Sequence, residues 1–139
     1  MIFRVLVPMD DSEMAERALQ FALEAYPEAD VTVIHVVGEP SPMMAQVTEL
    51  ALEGDLGTAV EEHAATVFDR AHSVVEEYDR DVATTVKVGN PAKEIVEYAA
   101  DFDVVVIGSH SGSIADRLFV GNVAQHVFRR SPVPVTTVR

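Results

Sequence analysis

The sequence predicts an α/β domain: a single doubly wound, five-stranded, mostly parallel sheet with helices on both faces. Three observations lead there. Short β-branched runs alternate with longer segments of helical periodicity along the whole chain, and such alternation builds parallel strands joined by right-handed crossovers. At 139 residues and 48% hydrophobic content the chain has the size and composition of one domain with a real core. No internal repeat, linker or low-complexity stretch divides it.

The opening run, Ile2 to Pro8, is apolar and reads as a buried strand. Asp10, Asp11 and Ser12 then offer cap oxygens, and Glu13 and Glu16 suit the positive end of a helix dipole. Met14, Ala15, Ala18, Leu19, Ala22 and Leu23 recur at helical spacing until about Tyr26, where Pro27 ends the helix. Val31–Val37 is rich in β-branched residues and reads as the second strand, broken by Gly38, Pro40 and Pro42. The segment 38–57 reads as an insertion without clear periodicity; within it Met43 and Met44 suit an adaptable apolar surface.

An amphipathic helix is expected from about Thr58 to Tyr78, with Val60, Ala64, Val67, Ala71 and Val74 on one face. Val82–Val88 is the third strand. Asn90 and Pro91 start a helix that ends near Phe102, and Asp103–Ile107 is the fourth strand. A loop rich in Gly and Ser covers 108–119. Val120–Arg130 reads as the last helix and Val133–Val138 as the last strand.

The net charge is −13, and only Lys87 and Lys93 among the ten basic residues are lysines. An acidic surface repels nucleic acid and anionic lipid, so neither is expected as a partner. Acidity with few lysines also fits a halophilic protein, kept soluble in a salt-rich cytoplasm where screening mutes self-repulsion. The charge is uneven. Residues 1–107 carry 22 acidic and 6 basic side chains, whereas 108–139 carry one acidic and four basic ones. Only the C-terminal quarter suits an anionic ligand. Zero cysteines exclude a disulfide framework and a thiolate nucleophile. The first residues lead straight into strand-like sequence without a signal peptide, and no apolar run reaches membrane-spanning length, so the expected location is cytoplasmic.

In open α/β sheets ligands bind beyond the carboxyl ends of the strands, where the chain order reverses. That rule directs attention to Pro8–Ser12, Val36–Gly38, Gly89–Pro91 and Gly108–Gly121. After the fourth strand, Gly108, Ser109, His110, Ser111 and Gly112 are mostly small residues that let backbone amides approach a phosphate. Gly121 and Asn122 precede or open the last helix, whose free amides suit an anion. A plain surface loop and an ordinary helix start explain the same residues. Gly-x-Gly-x-x-Gly and P-loop patterns are absent, and His110 rather than a serine stands between Gly108 and Gly112, so there is no nucleophile elbow. The histidines show no zinc-ligand spacing. His35 reads as structural, and His63 and His72 as helix-surface residues. No set of side chains supports catalysis, and the chain is expected not to be an enzyme, with weak ATPase activity left open as an alternative.

Taken together, Val7 to Ser12, His35-Val36, Gly89-Asn90-Pro91, Ile107 to His110 and Val120 to Val123 occur in the order and spacing of the universal stress proteins. Ser131 to Val135 resembles their last strand. The resemblance covers nearly the whole chain. It implies strand order 3-2-1-4-5 and a stress-response regulator that holds ATP or a related adenine nucleotide, with magnesium or manganese carried on the phosphates only. By resemblance Asp10, beside Pro8, meets the ribose and adenine region, and the backbone of Val36 meets the adenine edge. The phosphates fall to Gly108, Ser109, His110, Ser111, Gly121, Asn122 and Val123. The family's phosphate pattern is Gly-x-x-Gly-x₉-Gly-Ser/Thr. Gly108 and Gly121 fit it, while Ser111 replaces the second glycine and Asn122 the final hydroxyl residue. Ser111 adds a Cβ where close approach is needed; Asn122 still offers an amide donor. Arg117 lies within the same loop, where a phosphate contact and plain solvent exposure are equal readings. These departures leave an alternative, a dimeric stress protein with a degenerate pocket that acts through an unidentified protein partner. The resemblance also implies a homodimer through the last strand, residues 133–138. Pro134 removes one amide donor there, so pairing is expected to avoid it.

Overall fold

The computed structural model describes residues 1–38, 56–109 and 122–139. Met43, Met44, His110, Ser111, Gly112, Arg117 and Gly121 therefore lie outside the described residues.

Five strands form one sheet: β1 (Arg4–Pro8), β2 (Asp30–Gly38), β3 (Ala83–Gly89), β4 (Val104–Gly108) and β5 (Val135–Val138). They stand in the order β3-β2-β1-β4-β5, and every described pairing is parallel. Among the described residues four helices connect them: α1 (Glu13–Ala25), α2 (Leu56–Glu76), α3 (Pro91–Ala99) and α4 (Asn122–Arg130). The fold class and strand order are those expected from the sequence.

The period-2 alternation of each central strand sorts its side chains between the two faces. Val5 and Val7 of β1 pack under α1 and α2 with Leu19, Val67 and Ala71. Leu6 points the other way, into a second cluster with Ile95 of α3 and Val127 of α4. On β4, Val104 and Val106 join the first cluster, Val105 and Ile107 the second. Burying one such side chain is worth about 1.5–3 kcal/mol, so β1 and β4 carry much of the stability. On the edge strand β3 the outward Val86 and Val88 remain 37% and 56% exposed.

Helix ends are set by local chemistry. Ser12 Oγ accepts the Ala15 N–H at 3.1 Å and caps α1. Past its other end, Arg80 donates to the carbonyls of Leu23, Tyr26 and Ala29 at 2.9, 3.2 and 2.6 Å. Asn90 caps α3 by accepting the Lys93 N–H at 3.1 Å, with Pro91 at the first helical position. Gly89 just before it has φ +148°, and a Cβ there would stand 3.0 Å from Glu94 Oε1. The Gly89-Asn90-Pro91 turn is thus explained by architecture alone.

Several boundaries fall one to three residues from expectation, and two of these differences have a visible cause. The helix expected to end near Phe102 stops at Ala99, where the Asp101 and Phe102 amides turn back to Tyr98 and Ala99 carbonyls. The last strand was expected from Val133 but enters its ladder at Val135. Ser131 Oγ accepts the Val133 N–H at 3.1 Å and donates to the Val133 carbonyl at 2.7 Å, and this turn holds Val133 out of the ladder. No helix among the described residues is long and apolar enough to cross a membrane.

Candidate functional site

Sheet order puts β1 and β4 side by side while their chains leave in opposite directions, and a crevice opens where they part. A cavity of about 300 Å³ occupies it, at the small end of the range of ligand sites. Six of the residues that the sequence pointed to line it together: Pro8, Asp10, Val36, Gly108, Asn122 and Val123. They come from the ends of β1, β2 and β4 and the start of α4, which are far apart in sequence. Ser109 does not line it.

The β1–α1 turn carries the polar centre. Three acidic or hydroxyl residues in succession have separate fates. Ser12 is spent on the helix cap. Asp11 Oδ1 takes the Arg70 Nη1 at 2.7 Å, and Glu16 Oε1 takes the Arg70 Nε at 2.5 Å, which ties α2 to the first turn of α1. Its hydrogen bond to Glu16, then that to Asp11, raise the Arg70 guanidinium above its ordinary range and keep it protonated. Asp10 has no such ion-pair partner among the described residues. Its Oδ1 is buried and without a hydrogen bond among the described residues, an arrangement that costs about 1–3 kcal/mol for an ordinary polar group and more for a charged one. Asp10 is also the only charged side chain among the described lining residues.

The floor is apolar. Ile34 and Val36 lie two residues apart on β2 and share one face; Ile95 of α3 and Ile107 of β4 close it from the side. Ile34, Ile95 and Ile107 were legible only as core residues; the signal that joins them to the site is their place beside strand ends. Asn122, Val123 and Ala124 form the first turn of α4, and the three of them wall the opposite end. The amides of such a turn have no partner within their own helix.

Gly108 and Ser109 also have packing and backbone roles of their own. A Cβ at Gly108 would stand 2.7 Å from Met14 Cγ and 3.1 Å from the Met14 carbonyl oxygen. Docking of α1 against the end of β4 therefore requires glycine here whatever the cavity holds. The Ser109 N–H, expected among the phosphate donors, is bound to the Val138 carbonyl at 2.8 Å. His35 lies beneath the turn and off the lining. It is 4% exposed, and its Nδ1 is 2.8 Å from the Met9 carbonyl oxygen.

The comparisons with known proteins agree with this architecture. The pattern of the universal stress protein family matches residues 1–139. Universal stress protein MJ0577 of Methanocaldococcus jannaschii is 27% identical over 152 residues, covering 98% of this chain and 94% of that one. Universal stress protein YxiE of Bacillus subtilis is 28% identical over 153 residues and the full length of both. The solved structure of MJ0577 superposes with a TM-score of 0.80 at 29% identity, covering 99% of this chain and 96% of that one. A universal stress protein crystallised in complex with cAMP shares the fold, with a TM-score of 0.66 at 23% identity over 99% of this chain and 97% of that one. The chain belongs to the universal stress protein family.

Proposed function

We propose that this universal stress protein is a binding module for an adenine nucleotide, held in the cavity between the β1–α1 turn and the start of α4. The single observation that carries the proposal is Asp10 itself, the only charged side chain among the described residues that line the cavity. A carboxylate accepts hydrogen bonds, and ribose hydroxyls supply the donors where Asp10 stands. The apolar floor of Ile34, Val36 and Ile95 offers the flat contact that an adenine ring needs. The first turn of α4 offers amides and a positive dipole end for the phosphates, and Asn122 can add its side-chain amide. The fold is compatible with such a ligand, since a relative that shares it was crystallised with cAMP.

A divalent ion enters this reading only as a companion of the phosphates. Binding rather than turnover is proposed, and regulation of a stress response is the family-level role. The test is to purify the protein without added nucleotide, denature it and analyse the released small molecules by mass spectrometry. Adenine nucleotide in stoichiometric or near-stoichiometric amount is expected; consistent absence, with no signal on titration with millimolar magnesium ATP, overturns the reading in favour of a degenerate pocket.

The second part of the reading is a homodimer through β5, an edge strand of the sheet. Pro134 bears on it. The Pro134 carbonyl accepts the Val105 N–H at 2.9 Å and the Val138 carbonyl the Ser109 N–H at 2.8 Å. Positions 134 and 138 thus face β4, and alternation turns Val135 and Thr137 to the open edge. The amide that proline lacks belongs to the inner side, so the outer row is not interrupted there.

A further inference from the structure

We propose that His35 is the positioning residue of the Asp10 turn, acting through the Met9 carbonyl. His35 is outside the cavity lining, and no part of the site's chemistry uses it directly. Its neighbours on β2 sort by alternation: Ile34 and Val36 face the cavity side, while Val31, Val33 and His35 face α1 and α2. Met9 lies just past the end of β1. Its N–H continues the ladder by donating to the Ile34 carbonyl at 2.8 Å. The next backbone bond of the ladder is missing, and the His35 side chain takes its place at 2.8 Å from the Met9 oxygen.

The partner fixes the tautomer. A carbonyl oxygen only accepts, so Nδ1 carries the proton and Nε2 of the neutral ring holds the lone pair. That Nε2 is buried and has no partner among the described residues. His63 of α2 lies over the ring with centroids 5.0 Å apart and planes tilted by 44°, which confines the imidazole between α2 and the turn. The Met9 carbonyl is half of the peptide unit whose other half is the Asp10 amide. Held at both its N–H and its C=O, Met9 fixes the direction in which the chain enters Asp10, and so where the Asp10 carboxylate points. A residue that only filled core space at position 35 would leave the Met9 carbonyl free to rotate.

The test has two arms. In unaltered, ligand-free protein, ¹⁵N spectra of the histidine rings at about pH 8.5, above the ordinary imidazole range, are expected to show His35 protonated at Nδ1 and bare at Nε2. The opposite tautomer overturns the proposal without any substitution. The second arm, which rests on the nucleotide reading, compares His35→Asn, whose amide nitrogen sits where Nδ1 was, with His35→Leu. Magnesium ATP is expected to bind His35→Asn within about threefold of the parent and His35→Leu about tenfold or more weakly, as a lost buried hydrogen bond implies. Equal affinity in all three proteins overturns the positioning role. If the parent itself binds no nucleotide, the nucleotide reading fails, and the Met9 carbonyl and Asp10 backbone shifts decide instead. They are expected to stay in place in His35→Asn and move in His35→Leu, and unmoved shifts in His35→Leu overturn the proposal.

Discussion

No side chain fits at Gly108, because Met14 Cγ lies 2.7 Å from where its Cβ would stand and the Met14 carbonyl oxygen 3.1 Å away. The end of β4 and the first turn of α1 are in direct contact, and the cavity is framed by that contact. Gly108→Ala is expected to cost about 1–3 kcal/mol in urea unfolding, the usual range for overpacking. A cycle with Met14→Ala is expected to show coupling, since the nearest clash is with that side chain. Additive losses would mean that α1 shifts as a unit to make room.

Asp103 links the start of β1 to the start of β4. Its Oδ2 accepts the N–H groups of Phe3 and Arg4 at 2.8 and 2.9 Å. These bonds, that from Phe3 first, hold its carboxyl below the usual carboxylate range. A depressed folded-state value contributes stability that is fully present above the unfolded carboxylate range, near pH 4, and is lost as pH falls through the lowered folded value. Asp103→Asn is therefore expected to be less stable than the parent at neutral pH, with the gap closing in acid. Denaturant midpoints measured across pH 2–7 check this; a gap independent of pH would leave the charge no role.

The outer row of β5 supplies a prediction about assembly. Thr137 turns its amide to the open edge by the alternation that points Pro134 and Val138 at β4. Thr137→Pro removes an outward donor while sparing the β4 ladder. Sedimentation is expected to show the parent as a dimer and Thr137→Pro as a folded monomer. A parent that sediments as a monomer would defeat the edge-pairing proposal.

Much of this architecture was legible in the sequence because β1 and β4 are buried on both faces and read as unbroken apolar runs. β3 was legible for another reason: its β-branched residues mark a strand although most of them are exposed at the edge. The start of β5 was not, because one serine hydroxyl holds Val133 away from the ladder. At the site, the strand-end rule found Asp10, Gly108 and Asn122, and the structure brings them around one cavity. The Ser109 amide is bound to the Val138 carbonyl, a neighbour that only the folded sheet supplies. Gly108 lines the cavity and also meets Met14, 94 residues earlier in the chain, a packing demand that the strand-end rule does not carry. Contacts between distant segments leave no periodic trace.

The measurement that bears most directly on the central claim is a calorimetric titration with magnesium ATP of the parent beside Asp10→Ala. The account predicts saturable binding by the parent and an affinity about tenfold or more lower in the variant, since the ribose loses the carboxylate that lines the cavity. Equal affinities, or no heat from the parent up to millimolar ligand, would contradict it.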